Sequence, residues 1–223
     1  MSDYNIRLYK DSDYDTVRDI FARGITEHCP MALYHTLSLP RVWLLILVVF
    51  LLALVTTGSS IASCIAAITV ILALFLRIRN LFFSYVRKSL ATDMLDIRKN
   101  YLQMDGCCFW VAESAGEVVG IVAAAPYANP GGQNQVELKR LSVLKKHRRK
   151  GIAKALCMTV LDFAQKSRYH AIILGTLVFQ LDSVRLYKRL GFRITKTFYP
   201  NHYFTKFIDF VEIVFQYELF KER

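Results

Sequence analysis

Residues 42–76 of this 223-residue chain contain no Asp, Glu, Lys or Arg. An uncharged run of that length is the signature of lipid-facing helices and excludes an ordinary soluble surface there. As one straight helix it would be roughly 52 Å long, against a hydrocarbon core ~30 Å thick. A single helix therefore fits badly; a buried core hairpin of a soluble protein is the other reading of such a run. Two apolar blocks, 42–55 and 61–76, flank Thr56-Thr57-Gly58-Ser59-Ser60. That break predicts a helical hairpin, either dipping into one leaflet or crossing as a tight pair of spans. Cysteine pairing is also missing. Cys29, Cys64, Cys107, Cys108 and Cys157 are odd in number and form no Cys-x-x-Cys pair. Neither a zinc site nor a disulfide framework is indicated, which suits a reducing compartment, and no metal is expected. No cleaved signal peptide is expected, because the first 40 residues are polar and helix-patterned and the apolar stretch begins late. There is no internal repeat and no low-complexity tract.

What is present is basic and apolar. Lys and Arg outnumber Asp and Glu by 29 to 18, for a net charge of +11, and 54% of residues are hydrophobic. The mean hydropathy is +0.29 and the pI about 9.5. An anionic membrane surface and an anionic cofactor explain this charge best, and nucleic acid is not the expected partner. Arg41 precedes the apolar segment, and Arg77, Arg79, Arg87 and Lys88 follow it. The positive-inside tendency puts both ends on the cytosolic side. Met1 and Arg223 are then expected on that same face.

Tyr4 to Tyr9 alternates like a strand, and Ser12 or Asp13 can cap the helix that follows, with Val17, Ile20, Phe21 and Ile25 at helical spacing. After the apolar segment, Phe83, Val86, Leu90, Met94, Ile97, Tyr101 and Met104 predict a separate amphipathic helix. Residues 107–114 and 118–125 read as a hairpin of strands, and 126–134, with Pro130-Gly131-Gly132, as a loop. A strand is predicted over 170–176, a helix over 183–190 capped by Gly191, and further strands over 192–198 and 207–219.

The chemistry is concentrated downstream. Residues 135–143 read as a strand, followed by Lys145-Lys146-His147-Arg148-Arg149-Lys150 and then Gly151-Ile152-Ala153, which opens a helix with Ile152, Leu156, Val160 and Phe163 on one face. A basic, glycine-containing turn at a helix start is suited to phosphate, because the first N–H groups lack intrahelical partners and the helix dipole is positive there. The basic run could also be a localisation or nucleic-acid patch.

Arg148-x-x-Gly151-x-Ala153 after a strand resembles the acyl-CoA signature of the GNAT acetyltransferase superfamily. Leu186-Tyr187-x-x-x-Gly191-Phe192 resembles its second landmark. With Cys108-Phe109-Trp110-Val111-Ala112-Glu113-Ser114, Gly151 to Leu156, Gln180-Leu181 and the long apolar insertion, nearly the whole chain resembles the camello-like branch, which includes cysteine-S-conjugate N-acetyltransferase. The resemblance implies an α/β (α+β) fold with a mixed, mostly antiparallel central sheet flanked by helices and an inserted membrane hairpin. Residues 1–40 would be its first strand and helix, 41–80 the hairpin and 81–223 the remainder. It implies a membrane-bound N-acetyltransferase of the endoplasmic reticulum or Golgi, with its catalytic domain in the cytosol. Acetyl would move from acetyl-CoA to an amine, the α-amine of cysteine S-conjugates first. Protein lysines, histones included, are the alternative acceptors, and a non-catalytic role in development or adhesion is a further alternative.

The resemblance also assigns roles. Arg148, Arg149, Lys150, Gly151, Ile152 and Ala153 would hold the pyrophosphate. Backbone groups of Leu141, Ser142 and Val143 would hold the pantetheine and thioester carbonyl. Tyr187 would protonate the departing thiolate, and Gln180 would contact the cofactor or order water. Glu137 stands where some histone acetyltransferases of the superfamily have their general base, though a solvated strand-start charge is an equal reading, and a water relay would need no dedicated base. His202 is a further candidate base.

Overall fold

β1 (Asn5–Leu8) finds its partner on the far side of the apolar segment. It pairs antiparallel with β2 (Cys108–Ser114), from Asn5 opposite Glu113 to Leu8 opposite Trp110. Arg7 fastens the junction, its guanidinium bonding Glu113 at 2.6 Å and Asp13 at 2.7 Å. This is a computed structural model, and it describes residues 4–127, 134–200 and 203–220. Met1, Arg223, His202 and the loop at Pro130-Gly131-Gly132 lie outside the described residues.

β3 (Glu117–Pro126), β4 (Gln135–Val143), β5 (Ala171–Leu177), β6 (Arg193–Phe198) and β7 (Glu212–Glu218) complete a seven-stranded sheet in the order β1-β2-β3-β4-β5-β7-β6. Every neighbouring pair is antiparallel except β4 with β5. The alternation of the strands sorts two cores. Trp110, Val122, Leu138 and Phe215 face α5 (Ile152–Lys166) and α6 (Leu181–Arg189). Phe109, Val111 and Ile121 face α1 (Tyr14–Thr26), meeting Val17, Ile20 and Phe21. The expected cap at the start of α1 is not made by a side chain. Asp13 is spent instead on Arg7 and on the backbone N–H of Lys10.

After α2 (Cys29–Leu37), which the periodicity had not marked, come the two arms of the expected hairpin, α3 (Pro40–Thr57) and α4 (Ser60–Ala91). The break falls inside the predicted Thr-Thr-Gly-Ser-Ser. Gly58 takes φ 64°, a left-handed turn that favours glycine, and its N–H bonds Leu54 O at 2.9 Å. Val42, Ile46 and Leu74 pack between the arms. Trp43, Leu44, Leu52, Val55, Ile61 and Ile68 point outward, each more than half exposed.

Two further expectations are corrected. The amphipathic helix is not separate, because α4 runs unbroken through Arg77 and Arg79 to Ala91. No Gly or Pro interrupts residues 61–91, so nothing stops the helix where its charge begins. The later part of the predicted stripe, Met94, Ile97 and Tyr101, is buried on a turn and a short π-helical segment, Arg98–Leu102. The last strand begins at Glu212 rather than 207. Residues before it form a short helix, α7 (Tyr203–Phe207), and a turn at Asp209 with φ 53°.

Gly120 shows how tightly α5 sits on the sheet. A Cβ there would lie 3.2 Å from Leu156, 3.3 Å from Ile152 and 3.3 Å from the backbone O of Ser142. Gly120→Val overfills that contact, which costs about 1–3 kcal/mol. Thermal unfolding in detergent is expected to show a midpoint lowered by several degrees, and an unchanged midpoint would contradict this packing.

Candidate active site

β4 and β5 share only three residue pairs, Gln135 with Ala171, Val136 with Ile172 and Glu137 with Ile173. Beyond Glu137 the strands part. β4 stays with β3, whereas β5 follows β7 as far as Leu177. The opening is shaped by a bulge in β4. Ser142 pairs with Ile121 and Lys139 with Ala123, so Arg140 and Leu141 together oppose Val122, and Arg140 takes φ 60°. Leu141, Ser142 and Val143 thus border a cleft in the middle of the sheet. Ser142 is used structurally, donating from Oγ to Ile20 O at 3.2 Å. Gly24 permits that approach, since a Cβ there would sit 1.9 Å from the Ser142 Oγ.

The basic turn closes one end of the cleft. After a 3-10 turn at Lys145–His147, Arg149 takes φ 62° and Gly151 φ 84°, and α5 starts with no side-chain cap. The first N–H groups of α5 have no intrahelical partner and no side-chain cap, a helix start of the kind that suits an anion. Arg149 and Lys150 are exposed around it. Arg148 is engaged elsewhere, donating from Nε to Val143 O at 2.9 Å and pairing with Glu27 at the end of α1. It ties the turn to the body of the protein.

Tyr187 lies on the α5 side of the cleft. Its ring is 6% exposed and packs on Phe192 and Phe215, with ring centroids 5.9 and 5.7 Å away. The Leu-Tyr-x-x-x-Gly-Phe spacing has a plain physical basis. Gly191 reverses the chain at φ 93°, Phe192 N bonds Tyr187 O at 3.0 Å, and Phe192 folds back on the tyrosine. Burial, with Cys157 beside it, pushes the phenol well above its ordinary pKa, so it stays protonated. No hydrogen bond engages its hydroxyl among the described residues. Gln180 is committed to the end of β5, where its side-chain oxygen accepts from Thr176 Oγ1 at 2.8 Å and Leu177 N at 3.0 Å.

Glu137 is on the opposite face of the sheet, since its neighbours Val136 and Leu138 belong to the α5-side core. It pairs with Lys139 at 3.0 Å. The sequence reading missed its companion, Glu212. That carboxylate lies over Gly175, where a Cβ would come within 2.4 Å of it. Burial, then the negative charge of Glu137, pushes the Glu212 carboxyl up. The signal was available in the pattern Glu212-Ile213-Val214-Phe215, because Ile213 and Phe215 facing the core turn Glu212 to the other side. Among the described residues no group of His, Cys, Asp or Glu is arranged to hold a metal.

The model of the acetyltransferase (GNAT) family matches residues 75–192. N-acetyltransferase 8F1 of Mus musculus is 47% identical over 194 residues, spanning 86% of this chain and 87% of its own. N-acetyltransferase 8B of Mus musculus is 43% identical over 218 residues, 97% of this chain and 94% of its own. A GNAT-family acetyltransferase from Staphylococcus aureus Mu50 superposes with a TM-score of 0.60 at 18% identity, covering 97% of this chain and 99% of that one. A putative acetyltransferase from Salmonella typhimurium, solved with its cofactor acetyl-CoA, superposes at 0.56 and 16% identity, covering 99% and 96%. The fold, the two motifs in their places and these relatives together establish that the chain belongs to the GNAT acetyltransferases, in their N-acetyltransferase 8 or camello-like branch, and is an acetyl-CoA-dependent N-acetyltransferase.

Proposed function

We propose that the enzyme is bound to the endoplasmic reticulum or Golgi membrane by α3 and α4, with its catalytic domain in the cytosol. Its acceptor is a small amphipathic amine, first the α-amine of a cysteine S-conjugate. The observation that carries the membrane reading is the outward apolar face of the hairpin, an uncharged surface of the kind that lipid covers. The 18 residues of α3 are about 27 Å long, close to the ~30 Å hydrocarbon core. At the hairpin base Arg41 donates to Phe207 O and Arg77 lies over the Phe204 ring, so both basic flanks sit on one side. In this reading residues 1–40 and 81–223 form one acetyltransferase domain, and 41–80 are its membrane insert, with α4 carrying the chain across the second boundary unbroken. An acceptor with an apolar substituent could then enter from the interface beside α4.

Acetyl-CoA supplies an activated acetyl thioester. The N–H groups of Gly151, Ile152 and Ala153, with the side chains of Arg149 and Lys150, hold its pyrophosphate, and Arg148 fixes the turn's shape. Leu141, Ser142 and Val143 offer backbone donors and acceptors along the open edge of β4 to the pantetheine and the thioester carbonyl. Gln180 keeps the end of β5 folded away from β4, with its amide N–H₂ left to face cofactor or water. As the amine nitrogen bonds the acetyl carbon and the carbon–sulfur bond breaks, Tyr187 donates its proton to the departing sulfur, and a proton returned through water restores the phenol, balancing the second proton that the nitrogen gives up as the amide forms. The phenol carries its proton at neutral pH, and the same buried surroundings that raise its pKa also raise that of a thiolate formed beside it, which keeps the transfer feasible. On the opposite face Glu137 and Glu212 draw the acceptor's ammonium and take up the proton it loses, directly or through water.

Three variants test the site. Gly151→Asp is expected to abolish acetyl-CoA binding by calorimetry, whereas Gly151→Asn, equally able to take positive φ but uncharged, retains much of it. Equal affinities in the two would sink the phosphate assignment. Tyr187→Phe is expected to lower kcat by ~10²-fold with little change in acetyl-CoA affinity, and near-normal turnover would return Tyr187 to packing alone. For topology, tags at both ends should be cleaved together when intact microsomes are treated with protease. Cleavage of one with protection of the other would refute the hairpin.

A further inference from the structure

Arg140 is out of place by any local rule. It stands inside a strand, carries a long charged side chain, and takes φ 60°, a conformation disfavoured for a residue with a Cβ. Its side chain is only 7% exposed. Every part of the guanidinium is held from outside the sheet. Nε and Nη2 donate to the two oxygens of Asp93 at 2.9 and 2.6 Å, and Nη1 donates to the Tyr85 hydroxyl at 2.9 Å. The group also lies over the rings of Phe21 and Tyr85, 4.9 and 5.6 Å from their centres. Tyr101 donates its hydroxyl to Asp93 from below. Burial works against the Asp93 charge, but Arg140 and Tyr101 outweigh it and hold the carboxyl below its ordinary range.

The position of this cluster gives it a consequence. Arg140 is one of the two β4 residues that share a single β3 partner, and Leu141, Ser142 and Val143 follow directly. Without the bulge those residues would shift by one place. Val143, 7% exposed in the α5-side core, would turn out and Ser142 would turn in. Tyr85 belongs to α4, and Asp93 follows its end. The helix that carries the apolar hairpin therefore also holds the strained residue of the active-site strand.

We propose that Arg140, Asp93 and Tyr85 form a positioning clamp that holds the β4 bulge in register and thereby sets the affinity for acetyl-CoA. This rests on the reading that Leu141–Val143 bind the cofactor. The clamp touches no reacting atom. Its effect falls on the cofactor and not on the acceptor, and it passes through the backbone of residue 140. Glycine takes positive φ without strain, so Arg140→Gly should keep part of what Arg140→Ala loses.

Calorimetric titration of the full-length protein in detergent with acetyl-CoA, alongside steady-state kinetics, tests this. Asp93→Asn is expected to weaken acetyl-CoA binding about tenfold or more, with the acceptor KM nearly unchanged, as for displaced substrate-positioning groups. Tyr85→Phe removes one hydroxyl from a half-exposed ring, so it should fold normally and weaken binding in the same direction by less. Arg140→Gly should bind better than Arg140→Ala. The clamp is overturned if Asp93→Asn and Tyr85→Phe bind acetyl-CoA as tightly as the wild type, or if the glycine and alanine variants are equal. If the wild type itself binds no acetyl-CoA, the cofactor reading fails first and the clamp with it. If the wild type binds and only the clamp variants fail to differ, the cofactor reading stands and the clamp falls alone.

Discussion

Three residue pairs join β4 to β5, and then the sheet opens. The rest of the molecule serves that opening. Backbone donors and acceptors inside a protein are costly to leave unpaired, so a gap in the middle of a sheet persists only where something holds the strands apart and a ligand completes them. The holding is done from several directions. The Arg140 bulge turns β4, Gln180 ties off β5, Arg148 fastens the basic turn to α1, and α5 presses on Gly120. A strand-like cofactor arm ending in phosphates is the ligand such a cleft suits. The GNAT neighbour solved with acetyl-CoA shares this fold.

The hairpin is an insertion into the domain rather than an appendage. β1 and α1 precede it, yet both belong to the sheet that follows it, through the Arg7 ion pairs and the core around Phe21 and Phe109. The chain must therefore leave and return on one side. α4 accomplishes the return as a single rod. At its start it packs against α3, and at its end it packs beside α1 and the β4 bulge. In our reading, anchoring and catalysis share a structural element, and a site beside that rod is well placed for acceptors that partition into the interface.

Much of this was legible in the residues because local rules and tertiary needs agreed there. The bounds of β4, the start of α5 at Ile152 after Gly151 and the break at Gly58 were all readable, since alternation, a glycine at positive φ and a polar interruption each act over a few residues. The failures have physical causes as well. The run of charge after Leu76 suggested a boundary, but a change of polarity does not by itself end a helix, and no glycine or proline stands in residues 61–91. Glu212 and the Arg140 clamp depend on contacts between distant segments, Asp93 and Arg140 being 47 positions apart. A charged residue inside a strand reads as a solvated edge until its partners are known. Tyr187 was singled out by its motif, but its burial against Phe192 and Phe215 is a property of the packed core.

Hydrogen–deuterium exchange on the full-length protein, with and without acetyl-CoA, tests the central claim most directly. If the parted strands and the basic turn are the cofactor's seat, acetyl-CoA should protect the amides of Leu141, Ser142 and Val143 and of Ile152, Ala153 and Lys154 together. Amides of β2, which pairs with β1 and β3 and with neither of the parted strands, should be unaffected. Saturating acetyl-CoA that left the β4 and α5 amides exchanging as before, or protected some other surface, would contradict the account.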